Sequence, residues 1–119
     1  MNFDPKPYAE RIRRMNEAET ARIRERAEKA RAEARRLASA ITTADPDVAK
    51  VFLFGSLAAG APSSERFDID LAIEGGDVYK ALDLVDDSTF EVDVVQIDLL
   101  PDHFKARIES EGIVLATRS

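Results

Sequence analysis

The chain has 119 residues, 45% of them hydrophobic, and no cysteine, so it can bury one ordinary core but has neither disulfide staples nor a thiolate metal site. Its net charge of −6 is unevenly split: residues 1–44 hold 11 Lys or Arg against 7 Asp or Glu, net +4, while residues 45–119 hold 6 against 16, net −10, which opposes a grip on nucleic acid by the second part. No apolar run approaches a membrane span and the first residues lack a signal pattern, so the expectation is a cytoplasmic protein with one domain over 1–119, made of a helix at 1–44 and a core at 45–119.

Residues 8 to about 43 are rich in Ala, Arg and Glu, lack Gly and Pro, and predict one helix. At the standard rise it spans roughly 50 Å, more than a small domain needs, so it is expected to project beyond the sheet or to break near Asn16. Ile23, Ala27, Ala30, Ala34, Leu37 and Ile41 form a narrow apolar seam, read as the face against the domain's own sheet, with a homo-oligomer or partner interface as the alternative. Tyr8, Ile12 and Met15 form a second patch out of phase with it. Arg11, Arg13, Arg14, Arg22, Arg24, Arg26, Lys29, Arg31, Arg35 and Arg36 are interleaved with glutamates and read as a solvated, mixed-charge face, with RNA or an acidic partner as the alternative.

Pro46 ends the helix, and residues 51–54 read as a buried strand stopping at Gly55-Ser56, where Ser56 is placed to cap a short helix over 57–59. Exposed amides at such a start suit a phosphate. Residues 67–73 read as the neighbouring strand, with Asp68 and Asp70 on one face and Ile69 and Leu71 on the other. Carboxylates so close repel unless a cation sits between them. Gly75-Gly76 then turn the chain into a helix over 77–85 with Val78, Ala81, Leu82 and Val85 spaced for burial. A strand over 90–97, a helix from Pro101 to about 111 and a strand over 113–116 follow. This order predicts an α/β (α+β) fold, a small mixed sheet with helices on one face behind a long N-terminal helix.

The pattern from Phe52 onward, Phe-Leu-Phe-Gly-Ser-Leu-Ala-Ala-Gly, a spacer, Asp-Ile-Asp, then Asp93 on a later strand, resembles the minimal nucleotidyltransferases of the DNA polymerase β superfamily, antitoxin type. The resemblance covers residues 48 to about 117. It implies a polymerase β-like fold in which Gly55, Ser56 and Gly60 form the nucleotide loop and Asp68, Asp70 and Asp93 are the catalytic, metal-binding acids. Hard divalent ions take such oxygens, magnesium above all, and the resemblance implies two of them with ATP as substrate. Asp68 and Asp70 would bridge both, while Asp93 would serve the one that activates the attacking hydroxyl.

Two positions depart from the family pattern: Ala59 stands where an Arg often precedes the closing glycine, and Phe67 where a Ser often precedes the Asp pair. Losing that Arg removes a positive charge beside a triphosphate, and Arg66 is a candidate replacement. Ser63, Ser64 and Glu65 read as solvent-facing, and His103, the single histidine, as structural.

One domain of this length leaves no room for a separate acceptor-binding domain, so another protein is expected to supply the acceptor. The resemblance implies AMP transfer to a HEPN-domain toxin. The alternatives are a non-catalytic antitoxin that acts by occlusion through the long helix, or nucleotidyl transfer to a small molecule.

Overall fold

The computed structural model describes residues 4–60 and 62–118. Chain order is α1 (Lys6–Ala44), β1 (Lys50–Phe54), β2 (Ile69–Glu74), α2 (Val78–Val85), β3 (Val92–Gln96), a 3-10 turn (Ile97–Leu99), α3 (Asp102–Glu111) and β4 (Ile113–Thr117). The strands form one mixed sheet in the order β3-β2-β1-β4, in which β1 runs antiparallel to both β2 and β4 while β2 and β3 are parallel.

Register divides the side chains between two faces. Val51 lies opposite Ile73 and Leu53 opposite Leu71, and with Ile69 and Val94 they pack against Ala27, Ala30, Ala34, Leu37, Ala38 and Ile41 of α1 and Ala81 and Val85 of α2. Phe52 lies opposite Ala72 on the other face and packs with Ile97 and with Ile108 of α3. The mixed sheet behind a long N-terminal helix is as expected. The expectation of helices on one face holds for α1 and α2 only, since α3 lies against the opposite face. Its apolar spacing is carried by few residues, and it is the sheet's own alternation that leaves Phe52 and Ala72 for Ile108 to cover.

Helix α1 runs 39 residues without a break at Asn16, so the projecting form is the one adopted. Every described residue before Ile23 is exposed, Tyr8 and Met15 at 62% each, whereas the predicted seam is buried throughout. The reason is geometric: the seam is used up once the helix has crossed the sheet, and the helical phase turns Tyr8, Ile12 and Met15 elsewhere. In α2, Ala81 and Val85 are buried and Val78 packs partly against the core, while Leu82 is exposed at the edge of that face.

The corner between α1 and β1 is fixed by Asp45, a buried carboxylate that accepts from the amides of Asp77 (2.9 Å) and Asp47 (3.1 Å). Those two amides hold its carboxyl below the ordinary range. Arg118 closes the same corner from the far end of the chain, donating to the carbonyls of Thr42 (2.5 Å) and Val48 (3.1 Å).

A paired substitution separates the two parts of α1. Leu37→Ala, in a site 1% exposed, is expected to cost about 2–5 kcal/mol of unfolding free energy. Met15→Ala should stay within about 0.5 kcal/mol, as a surface change. Urea denaturation of both variants measures the contrast.

Candidate active site

The sheet face that α1 leaves uncovered carries the acids. Asp70, on β2, is paired in register with Asp93 on β3, so both carboxylates leave the sheet on the same side. Asp68 precedes the first residue of β2, so the predicted strand start at 67 falls two residues early, and its side chain is exposed while that of Asp70 is half-buried. Asp70 carries the electrostatic strain. Burial first, then the charge of Asp93, then that of Asp68 hold its carboxyl above the ordinary aspartate range.

Opposite Asp70 on the neighbouring strand is Phe54, and the chain turns at the next residue. Gly55 has φ +77°, and a Cβ built there would overlap Asp70 Oδ2. Both the turn and the approach of the carboxylate therefore need a glycine. The segment that follows is a single turn rather than the expected helix over 57–59: the Gly55 carbonyl accepts from the amides of Ala58 and Ala59, both at 3.1 Å. Gly55, not Ser56, closes this turn, and among the described residues the amides of Ser56 and Leu57 donate to no protein acceptor. Gly60 ends the loop at φ +121°. Successive unspent amides after a glycine of this conformation make a concavity suited to an anion.

The solvated, mixed-charge face expected of α1 holds for most of its cations, but three of them also bond to the loops beside the sheet, Arg22 and Arg26 while exposed and Arg31 half-buried. Arg31 donates to the carbonyls of Leu57 (Nε, 3.2 Å) and Gly60 (Nη2, 2.7 Å). Arg22 pairs with Glu65 at 3.3 Å, and Arg26 donates to the Glu65 carbonyl at 3.2 Å. The Arg26 guanidinium also lies 5.7 Å from the ring centre of Phe67 and 4.8 Å from that of Phe90, the residues that lead into Asp68 and β3. Glu33, chelated by Arg36, accepts a hydroxyl hydrogen bond from Ser88 at 2.6 Å, which ties down the segment before β3. Arg66 is exposed, and its backbone amide and carbonyl bond the Ser64 hydroxyl in a local turn. His103 is exposed on α3.

The sequence reading also missed a cavity of about 520 Å³ between α3 and the 55–60 loop, lined by Phe54, Gly55, Ser56, Ala59, Phe104 and Arg107 among others. Phe54 and Phe104 meet edge to face across it, ring centres 6.3 Å apart. The signal available beforehand was the aromatic at position 104 in the predicted last helix, which has no role in the core on α1's side.

The donor chemistry of Asp68, Asp70 and Asp93 fits a hard divalent cation: three carboxylates, the central one held above its ordinary range by burial and then by its neighbours' charge. They are not drawn into a tight cage, for among the described residues no three His, Cys, Asp or Glu side chains form a metal-ready cluster. Nor is any helix among the described residues long and apolar enough to cross a membrane.

Residues 38–119 match the family described as Polymerase beta, Nucleotidyltransferase. Among curated proteins nothing matches. A solved structure of a mutant of the toxin-antitoxin pair MntA-HpeT is similar at 18% identity and a TM-score of 0.49, covering 62% of this chain and 64% of that one. The chain thus spans less than two thirds of that structure's length.

Two variants test the site's geometry. Asp70→Asn is expected to raise the melting temperature near neutral pH, because an aspartate with a raised folded pKa weakens the fold once it ionises. The gain should shrink as pH falls through the folded value and vanish below the ordinary value of about 3.9. Melting curves across that range read the sign. Gly55→Ala is expected to cost about 1–2 kcal/mol for the left-handed backbone alone. It should also displace the Asp70 carboxylate, so that divalent-metal affinity, read by calorimetry, falls in the same variant.

Proposed function

The chain belongs to the polymerase β nucleotidyltransferase family, and from that premise we propose that it transfers AMP from ATP to a partner protein, a HEPN-domain toxin for which it is the antitoxin. The observation that carries the reading is the placement of Asp70 and Asp93 side by side on the open sheet face, with Gly55 packed against Asp70 and free amides directly beyond. Phosphate held by the amides of Ser56 and Leu57 would lie within one residue of the glycine packed against Asp70.

In this reading Asp68, Asp70 and Asp93 hold magnesium, which when bound neutralises phosphate oxygens and acidifies the acceptor hydroxyl. Gly55, Ser56 and Gly60 grip the β and γ phosphates. The acceptor oxygen forms a bond to the α phosphorus in line with the bond that breaks to the β-phosphate oxygen. Pyrophosphate leaves, the hydroxyl proton passes to solvent, and AMP remains on the acceptor.

The exposed Tyr8, Ile12 and Met15 on the projecting part of α1 support a protein acceptor, being an apolar patch that this chain's own sheet does not cover. The same patch favours a second reading, in which the chain neutralises its partner by occlusion through α1 without chemistry.

The experiment is incubation of the protein and a purified HEPN-domain partner with ATP and magnesium, followed by mass spectrometry for one added AMP. Modification that disappears in Asp70→Asn and in chelator supports transfer, and equal ATP affinity with magnesium and with chelator removes the metal-dependent reading. Deleting residues 1–18 is expected to leave a cooperative melt and ATP binding intact, because burial begins at Ile23, while a pull-down shows weaker partner binding. Partner control that survives Asp70→Asn but not this deletion identifies occlusion.

A further inference from the structure

We propose that Arg31, from α1, is the positioning residue of the 55–60 loop, acting through the loop backbone. The loop has two glycines with positive φ, at 55 and 60, and no charged side chain of its own between them, so its conformation is soft unless something outside holds it. Arg31 is half-buried and uses two arms of its planar fork on two carbonyls three residues apart, those of Leu57 and Gly60.

The first of these bonds fixes a specific peptide unit. The carbonyl of Leu57 and the amide of Ala58 belong to one rigid plane. Arg31 holds the carbonyl at 3.2 Å, and the Gly55 carbonyl holds the amide at 3.1 Å. With that plane fixed from both sides, the preceding amides of Ser56 and Leu57 have a fixed setting too. The second bond, at 2.7 Å, fixes the end of the loop. Because both anchors come from a stretch of helix packed on the sheet between the buried Ala30 and Ala34, the loop is tied to the core.

Lysine would not serve, since a single ammonium on a flexible stem cannot reproduce two donors in fixed relation. Arg66 is exposed, and among the described residues its backbone bonds the Ser64 hydroxyl in its own turn. Arg35 is exposed on the same helix and is the natural control.

The proposal rests on the nucleotide reading above, and the test keeps the two apart. Magnesium-ATP is titrated calorimetrically into the wild type, Arg31→Ala, Arg31→Lys and Arg35→Ala, magnesium alone is titrated in parallel, and amide hydrogen exchange at Ala58 and Ala59 is followed without nucleotide. Loss of ATP affinity on the order of tenfold or more is expected in Arg31→Ala, as for a lost hydrogen bond to a charged group. Arg31→Lys should recover little of it, and Arg35→Ala should match the wild type. Magnesium affinity should be unchanged, exchange at Ala58 and Ala59 should accelerate, and guanidinium at millimolar concentration should restore part of the ATP affinity to Arg31→Ala but not to Arg31→Lys. A purely structural role predicts instead that melting temperature, magnesium and ATP binding fall together without rescue, which overturns the proposal. Wild-type-like ATP affinity in Arg31→Ala, or full recovery by Lys, overturns it as well. A wild type that binds no ATP brings down the nucleotide reading, and the proposal's nucleotide role with it, while the exchange rates still decide whether Arg31 holds the loop.

Discussion

The closeness of α1 to the sheet is the contact on which the other arrangements depend. Ala27, Ala30, Ala34 and Ala38 are all at most 1% exposed, and a seam of single-carbon side chains allows a helix to settle onto strands that larger residues would keep at a distance. Leu37 and Ile41 supply the largest fully buried side chains of the helix, near its end. From that depth an arginine stem on either flank of the seam can reach the loops, Arg26 and Arg31 at backbone carbonyls and Arg22 at the Glu65 carboxylate. The helix therefore stabilises the sheet by burying one face and organises the loops at its end by hydrogen bonds and ring contacts.

The sheet separates these duties. Its α1 face is apolar from edge to edge, and its other face is shared between the small cluster under α3 and the acids. Period-two alternation in β1, β2 and β3 makes that division without any extra device, because Phe52, Ala72 and Val95 leave the sheet on the same side as Asp70 and Asp93. Packing three carboxylates near one another would weaken the fold if they were buried as deeply as Leu71. They sit instead where the sheet ends and solvent begins, and only Asp70 is held in part away from water.

What the sequence disclosed follows from which interactions are periodic or local. The seam from Ile23 to Ile41 is legible because a helix repeats, and the Asp70–Asp93 face is legible because a strand alternates. Gly55 is legible as a turn, since a strand ending in Gly-Ser has little else to become. The side of the sheet chosen by α3 is not, because a handedness of connection decides it rather than any residue in 102–111. The arginines of α1 were the larger omission: as a pattern they look like any mixed-charge helix, and what distinguishes Arg31 is the position of a loop nearly thirty residues further on. The single turn at 57–59 is not legible either, because three residues are too few for periodicity to separate a turn from a helix.

The projecting start of α1 has an electrostatic consequence. Met15 lies about 12 Å along the helix from Ile23, where burial begins, and Tyr8 lies about 10 Å further still. At physiological ionic strength the screening length is about 8 Å, so Arg11, Arg13 and Arg14 scarcely feel the surplus of negative charge carried by residues 45–119. Anything approaching the tip meets a short, amphipathic, mildly basic rod, and anything approaching the sheet meets a strongly acidic body. The two ends can thus select visitors of opposite charge, and added salt will act on each encounter independently of the other.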